Sequence, residues 1–207
     1  MGQYYIITNV DKREVLPVIG TKLLEIAERA TDCRAIMNKM ANDWKGDQVY
    51  LVGDYADIRD PLVTYYKKLS EISNNLPIEG SLYHYARDNF TKVEGDTADY
   101  GYRFIYNHYL KKYIDILHCP QCCAGTDWRQ GYIAPLHLFI AMGNGRGSGD
   151  YYNEKNFLLA GTWCDSITSV EITAEPKDDL GYTEFRPNFT YPEHDWLEEM
   201  LLCILNH

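Results

Sequence analysis

The residue types and spacing that most suggest chemistry lie in a glycine-rich loop in the second half of the chain. Between residues 143 and 149, every second residue is glycine, and Arg146 and Asp150 lie in and just after this run. Because glycine permits positive φ angles and close backbone approach, successive N–H groups can form a nest for phosphate or carboxylate. Arg146 would add a charged, forked donor. We therefore predict a ligand site formed by Gly145, Arg146, Gly147, Gly149, Asp150 and Asp165.

The same loop does not match the two common phosphate-binding patterns. No Gly-Lys-Ser/Thr follows it, as a Walker A loop requires, and its glycine spacing differs from that of a dinucleotide fingerprint. An isolated glycine motif is weak evidence for a site. The favoured alternative is a structural loop in which Arg146 and Asp150 pair with each other or with the backbone.

A second candidate is the segment from His118 to Cys123, which contains the C-x-x-C pair Cys119 and Cys122. This spacing is half of a zinc site, but no second C-x-x-C or H-x-x-x-H supplies the other half. Six cysteines without a visible secretion signal are most simply reduced cytosolic thiols. Structural thiols are therefore favoured over zinc, with Cys119 and Cys122 as the candidate ligands, and over a redox pair.

A nucleophilic group can be drawn from Cys164, His137 and Asp150, but nothing in their local sequence supports it. His137 lies in an apolar run, where a histidine is more often a hydrogen-bonded core residue. The equivalent tryptophans Trp44 and Trp163 are most simply core anchors. We assign no catalytic residue from the sequence and favour a protein that is not an enzyme.

An internal repeat predicts the elements that would position these residues. Residues 4–9, followed by Lys12-Arg13, recur as residues 102–107, followed by Lys111-Lys112, and residues 44–49 recur as 163–167. Alternating apolar residues around turn residues predict a β-hairpin at the start of each copy. Each copy is interpreted as a hairpin, a helix and a closing strand, at 48–53 in the first and 166–173 in the second. Asp32 and Cys33 interrupt the helical stripe of the first copy, so we expect a break in the helix there.

The predicted fold class is α+β: two related ββαβ-like units with antiparallel sheets and covering helices at 60–73 and 192–205. Residues 1–58 form the first unit, 59–99 a helical connection, 100–175 the second unit with the glycine-loop insertion, and 176–207 a C-terminal segment and helix. We expect these parts to form one compact domain.

Composition restricts the class of partner. The chain has 207 residues and a formal charge of −10, from 30 acidic and 20 basic residues. This charge disfavours general nucleic-acid binding, which depends on Lys and Arg at phosphates. No apolar run is long enough to span a membrane. Eighteen tyrosines favour a contact surface, since tyrosine combines apolar area with a polar tip.

Several motifs resemble a family of uncharacterised bacterial and phage-type proteins. The matching features are the MGQYY start, Asn9 with Lys12-Arg13, the segment from Gly46 to Asp57, the NGRGxGD loop at 144–150, Asn107 with Lys111-Lys112, and the segment from Trp163 to Glu171. The resemblance implies relatives and no activity. The first unit departs from the pattern in having no glycine loop before Trp44.

Two functional hypotheses follow. The first is an acidic cytoplasmic protein that binds a protein partner, which by analogy with mobile-element proteins would be an inhibitor of host or defence machinery. The second is an enzyme or binding protein that holds an anionic small molecule at the Arg146 loop. Convergence of Arg146, Asp150 and Asp165 on one pocket would support the second, whereas a patch of acids and tyrosines would support the first.

Overall fold

The computed structural model describes residues 3–16, 22–23, 30–56, 66–119, 135–143, 160–177 and 181–186. These parts of the chain contain both helices and two mixed sheets, so the predicted α+β class is confirmed. Buried residues of both sheets and of the helices join one hydrophobic cluster. The glycine loop after Gly143 and the predicted helix at 192–205 lie outside the described residues.

The first sheet is built on a central strand, β1 (Tyr5–Asn9), which is antiparallel to β2 (Glu14–Leu16) and to β3 (Val49–Gly53). Every residue of β1 and of β3 is buried, which explains their almost continuous apolar sequence. Two-residue strands complete the edges: β4 (Thr91–Lys92) is parallel to β2, and β7 (Ala141–Met142) is parallel to β3.

The second sheet repeats this arrangement around β5 (Phe104–Asn107), which is antiparallel to β6 (Lys112–Asp115) and to β8 (Val170–Thr173). A short strand, β9 (Thr183–Glu184), is parallel to β6 at the edge. The prediction of antiparallel sheets therefore holds for the hairpins and closing strands and is wrong for the edges. Two-residue strands carry too little periodicity to be recognised in sequence.

Four α-helices lie in the described residues: α1 (Ala30–Ala41), α2 (Tyr66–Asn75), α3 (Leu82–Asn89) and α4 (Leu136–Phe139). The expected break at Asp32 and Cys33 is wrong, because α1 continues through both residues. Helix α3 begins at a serine N-cap, where the Ser81 side chain accepts a hydrogen bond from the backbone N–H of Tyr83.

The two hairpins share their turn geometry. Arg13 and Lys111, each just before the second strand, both have φ of 54°. Asn9 Oδ1 accepts from the N–H of Lys12 at 3.0 Å, and Asn107 Oδ1 accepts from the N–H of Leu110 at 3.0 Å. The repeated asparagine thus closes each turn through its side chain. The repeat of complete ββαβ units stays a prediction.

The closing strand of the second sheet begins later than the sequence suggested. Residues Cys164–Ser169 form a 3-10 helix, and β8 starts only at Val170. Within this helix the Ser166 hydroxyl is buried and accepts a hydrogen bond from Asn107 Nδ2 at 2.8 Å. The hydroxyl satisfies a buried amide, so the serine favours a turn over a strand here.

Both predicted core tryptophans are buried, Trp44 and Trp163 alike. The indole N–H of Trp44 donates to Glu14 Oε2 at 2.6 Å, and the Trp163 ring stacks on Phe139 with centroids 4.9 Å apart. The stacking brings the second tryptophan onto α4, directly before β7. The two sheets are therefore joined through the elements around α4.

Candidate functional site

A groove between α1 and residues 94–102 is one of the concave features in the described part of the chain. Its cavity has a volume of about 520 Å³. Lining it are Asn38, Lys39, Asn42, Asp43, Glu94, Asp96, Tyr100 and Tyr102, and we call it the acidic tyrosine groove. Its size lies in the range of ordinary ligand pockets, roughly 300–1,000 Å³.

Buried contacts fix the two walls of this groove against each other. Asn38 Nδ2 donates to the backbone carbonyls of Asp96 at 2.8 Å and Ala98 at 3.0 Å, and Asn38 is itself buried. Gly95 lies so close to α1 that a Cβ there would be 2.6 Å from the Cβ of Ala35. The segment therefore runs against the helix with its backbone anchored, which leaves its side chains to form the outer wall.

The aromatic part of the groove is a pair of tyrosines. Tyr100 and Tyr102 lie with ring centroids 6.1 Å apart, and Tyr100 is 54% exposed. The Tyr102 hydroxyl accepts from Asn42 Nδ2 at 3.3 Å, and the Tyr100 hydroxyl donates to Asp96 Oδ2 at 2.5 Å. That hydrogen bond lowers the pKa of Asp96 and raises the pKa of Tyr100. Both rings are therefore held at the opening of the groove.

The charge of the groove is negative. Three carboxylates line it, from Asp43, Glu94 and Asp96, against the single ammonium group of Lys39, which is paired with Asp43 at 2.8 Å. Burial acts to raise the pKa of Asp43, but the hydrogen bond from Lys39, a backbone hydrogen bond and the charges of nearby lysines together outweigh it, and the pKa is lowered. Glu94 is exposed and has no cation within ion-pair distance among the described residues. Such a groove favours a positively charged ligand.

The sequence prediction placed residues 94–99 in the helical connection and missed this groove. The available signal was the density of acids and tyrosines between Glu94 and Tyr102. No residue of the groove was named in advance, and the expected contact surface of acids and tyrosines stays a prediction.

The root of the glycine loop lies at the carboxyl end of two parallel strands. Leu51 pairs with Ala141 and Val52 with Met142, so Gly53 and Gly143 leave the sheet side by side. A Cβ on Gly53 would be 2.5 Å from Gln3 Cδ, and one on Gly143 would be 2.4 Å from Gln3 Oε1. Gln3 is buried and accepts a hydrogen bond from the Tyr5 hydroxyl at 2.7 Å. Gly143 is therefore explained by close packing.

The predicted ligand residues of the loop itself, Gly145, Arg146, Gly147, Gly149 and Asp150, lie outside the described residues. Asp165 is described: it is exposed and lies in the first turn of the 3-10 helix before β8. Burial raises the pKa of Tyr50, and the charge of Asp165 adds to this effect. Tyr50 is in the amino-terminal half of β3, whereas the loop leaves beside Gly53. The predicted convergence of Asp165 with Arg146 and Asp150 stays a prediction.

The described cysteines are buried thiols. Burial raises the pKa of Cys119 to about 12, and its Sγ lies 3.8 Å from the Asp115 carbonyl as a weak donor. Cys122 lies outside the described residues. In the described ranges, no group of three or more His, Cys, Asp or Glu side chains is arranged to hold a metal ion. Zinc at Cys119 and Cys122 therefore stays a hypothesis.

The nucleophilic arrangement drawn from Cys164 and His137 has the wrong environment. Burial raises the pKa of Cys164, and a buried neutral thiol is a poor nucleophile. His137 is fully buried within α4, as expected for a core histidine. Asp150 lies outside the described residues.

Three kinds of comparison with known proteins found no match: no protein-family model, no curated protein and no solved structure matches this chain. None of the helices in the described residues has the length and apolar character needed to cross a membrane.

Proposed function

We propose that this chain is a cytosolic interaction protein that binds a basic segment of a partner protein in the acidic tyrosine groove. The observation that carries the proposal is the combination of an excess of carboxylates with two adjacent tyrosine rings in one anchored cavity. A partner arginine would find a carboxylate at Glu94 and a ring face at Tyr100. The overall charge of −10 would increase the rate of encounter with such a partner.

The proposed biological role follows from the resemblance to phage-type proteins. An acidic groove that captures a basic segment suits an inhibitor of host or defence machinery, because nucleic-acid enzymes expose basic surfaces that such a groove would occupy. Capture from a host lysate, with the native chain and the Glu94→Gln variant side by side, would identify the partner.

A defined peptide tests the groove directly. A fluorescein-labelled peptide of alternating arginine and glycine is titrated against the full chain, with fluorescence anisotropy as the measurement. We expect Glu94→Gln and Tyr100→Ala each to weaken binding about two- to fivefold, the range of an exposed ion pair or cation–π contact. Glu79→Gln is the matched control, because Glu79 is also exposed, lies outside the groove and changes the net charge equally.

Equal weakening by Glu94→Gln and Glu79→Gln would mean that only the net charge attracts the peptide, and the groove proposal would fail. Binding of free spermidine by the native chain without binding of the peptide would also contradict the proposal, because the groove would then be a site for small amines.

A second candidate function is anion binding at the Arg146 loop. It is favoured by one observation: the loop leaves the carboxyl end of the parallel pair β3 and β7, the edge at which ligands commonly bind in sheets with parallel strands. Isothermal titration of inorganic phosphate and of short dicarboxylates into the native chain tests it. Arg146→Gln should abolish the binding that Arg146→Lys only weakens, because a lysine keeps the charge and loses the fork.

A further inference from the structure

A separate cluster of polar side chains lies at the hairpin end of the second sheet. The Nδ1 atom of His108 lies 2.5 Å from the Tyr182 hydroxyl, and its Nε2 atom lies 2.8 Å from Glu171 Oε2. The imidazole is thus held between a hydroxyl and a carboxylate. This is the order of groups by which a base activates a hydroxyl nucleophile while a carboxylate orients the base.

The charge state of Glu171 fixes the roles of the two ring nitrogens. Burial acts to raise the pKa of Glu171, but hydrogen bonds from Lys177, Lys45 and His108 outweigh it and lower the pKa to about 2. An ionised carboxylate only accepts hydrogen bonds, so Nε2 of the neutral ring must carry the proton. Nδ1 is then the acceptor for the Tyr182 hydroxyl proton.

Packing holds the imidazole in this position. The His108 ring is stacked on the Tyr106 ring, with an interplanar angle of 10°, and meets the Tyr182 ring edge-on. The backbone N–H of His108 donates to the Ser169 carbonyl at 3.0 Å. Three separate segments therefore fix the histidine, which is the preorganisation that a reactive site needs.

The cluster is open to solvent and positively charged around its reactive end. The His108 side chain is 35% exposed, and Tyr182 is half-buried. The Lys111 ammonium group lies 5.0 Å from the centroid of the Tyr182 ring and has no carboxylate within ion-pair distance among the described residues. A cation at this position attracts an anionic reactant.

We propose that Tyr182 is a nucleophile activated by His108 and Glu171, which reacts with negatively charged electrophiles of the phosphoryl class. In the step, the Tyr182 oxygen forms a bond to phosphorus, and the bond from phosphorus to the leaving group breaks. The leaving group departs with that electron pair. The phenol proton passes to His108 Nδ1 and then to the leaving group or to water. The product is Tyr182 carrying the phosphoryl group.

The first experiment compares two tyrosines within one molecule. The full chain is treated at pH 7.5 with 4-(fluorosulfonyl)benzoate, an anionic sulfonyl stand-in for the phosphoryl group, and labelled peptides are quantified over time by mass spectrometry. Tyr109 is the internal reference, because it follows His108 in the same turn and is 75% exposed. General-base assistance is worth about a hundredfold or more, so Tyr182 should react about a hundredfold faster. Equal or faster labelling of Tyr109 overturns the proposal.

Variants separate activation from simple exposure. His108→Gln and Glu171→Gln should each reduce labelling of Tyr182 by tenfold or more, while the rate at Tyr109 stays unchanged; circular dichroism of each variant checks that the fold is kept. In the native chain, labelling of Tyr182 should rise much less between pH 7 and pH 10 than labelling of Tyr109. An isolated phenol instead reacts faster with rising pH up to about 10. If the rate of labelling at Tyr182 rises with pH as that of an isolated phenol does, the activation of Tyr182 by His108 is contradicted.

Two further measurements test the substrate class. Lys111→Gln should remove the preference for the anionic reagent over neutral benzenesulfonyl fluoride and leave the rate with the neutral reagent unchanged. Acetyl phosphate, a small phosphoryl donor, should phosphorylate Tyr182 in the native chain and not in His108→Gln. Sulfonyl labelling without phosphorylation would overturn the assignment to the phosphoryl class.

Discussion

Glu171→Gln is also the substitution whose effect on stability can be worked out from the structure. The carboxylate makes ion pairs with Lys45 at 2.9 Å and with Lys177, it accepts a hydrogen bond from His108 at 2.8 Å, and its side chain is 18% exposed. Its pKa is lowered from 4.5 to about 2 in the folded protein. At about 1.4 kcal/mol for each pH unit, this difference corresponds to at most about 3–4 kcal/mol of folding free energy.

The sign of the pH dependence follows from the lowered pKa. Because the folded protein holds the proton less tightly than the unfolded chain, the ionised form contributes stability above the ordinary value of 4.5. That stability is lost as the pH falls through about 4.5 towards about 2. We expect Glu171→Gln to destabilise the protein by up to about 3 kcal/mol at pH 7 and by about half as much at pH 3.

Urea unfolding followed by circular dichroism, at pH values from 7 down to 3, measures this difference. Glu175→Gln is the control, because Glu175 is exposed and has no ion pair among the described residues. It should shift the free energy of unfolding by less than about 0.5 kcal/mol at every pH. A Glu171→Gln penalty that does not change between pH 7 and pH 3 would refute the electrostatic explanation.

Three other substitutions or reactions follow from the packing. Gly143→Ala should lower the free energy of unfolding by about 1–3 kcal/mol, because the added Cβ would meet Gln3. The loss should be smaller in a Gln3→Ala background, and a double-mutant cycle of urea unfolding measures this coupling. Asn107→Ala should lower the free energy of unfolding by about 2–3 kcal/mol, because the Ser166 hydroxyl and the Leu110 N–H both lose a buried partner. If the effects of Asn107→Ala and Ser166→Ala on urea unfolding were additive, this explanation would be contradicted. Cys119, with its pKa raised to about 12 by burial, should react with iodoacetamide only on unfolding, and mass spectrometry of the folded chain checks this.

The elements that the sequence predicted well are those in which local chemistry and burial agree. Each hairpin combines a run of buried strand residues with an asparagine that closes the turn, at Asn9 and at Asn107. Helix α3 has a serine N-cap, and β3 has a continuous apolar sequence. In these cases the residues that determine the structure are neighbours in the chain.

What the sequence could not predict depends on residues that are far apart in the chain. The parallel edge strands are defined by partners such as Val15 for Lys92, and the groove forms because Asn38 reaches the backbone at Asp96. The fold also brings His108 next to Glu171 and Tyr182. Seen singly, each of these residues is an ordinary turn, strand or loop residue, and only the fold brings them together.

The parallel edge strand β7 has a consequence for how the protein reaches its native state. It pairs Leu51 with Ala141, ninety positions later, and it comes from chain that lies between β6 and β8 of the other sheet. The hairpins need only short loops to close, so they can form early, whereas this pairing must await the closure of a long loop. The first sheet is therefore not complete until the chain has passed through the hairpin of the second sheet. We therefore expect the two halves, expressed as separate fragments, to remain unfolded alone and to regain structure only when mixed.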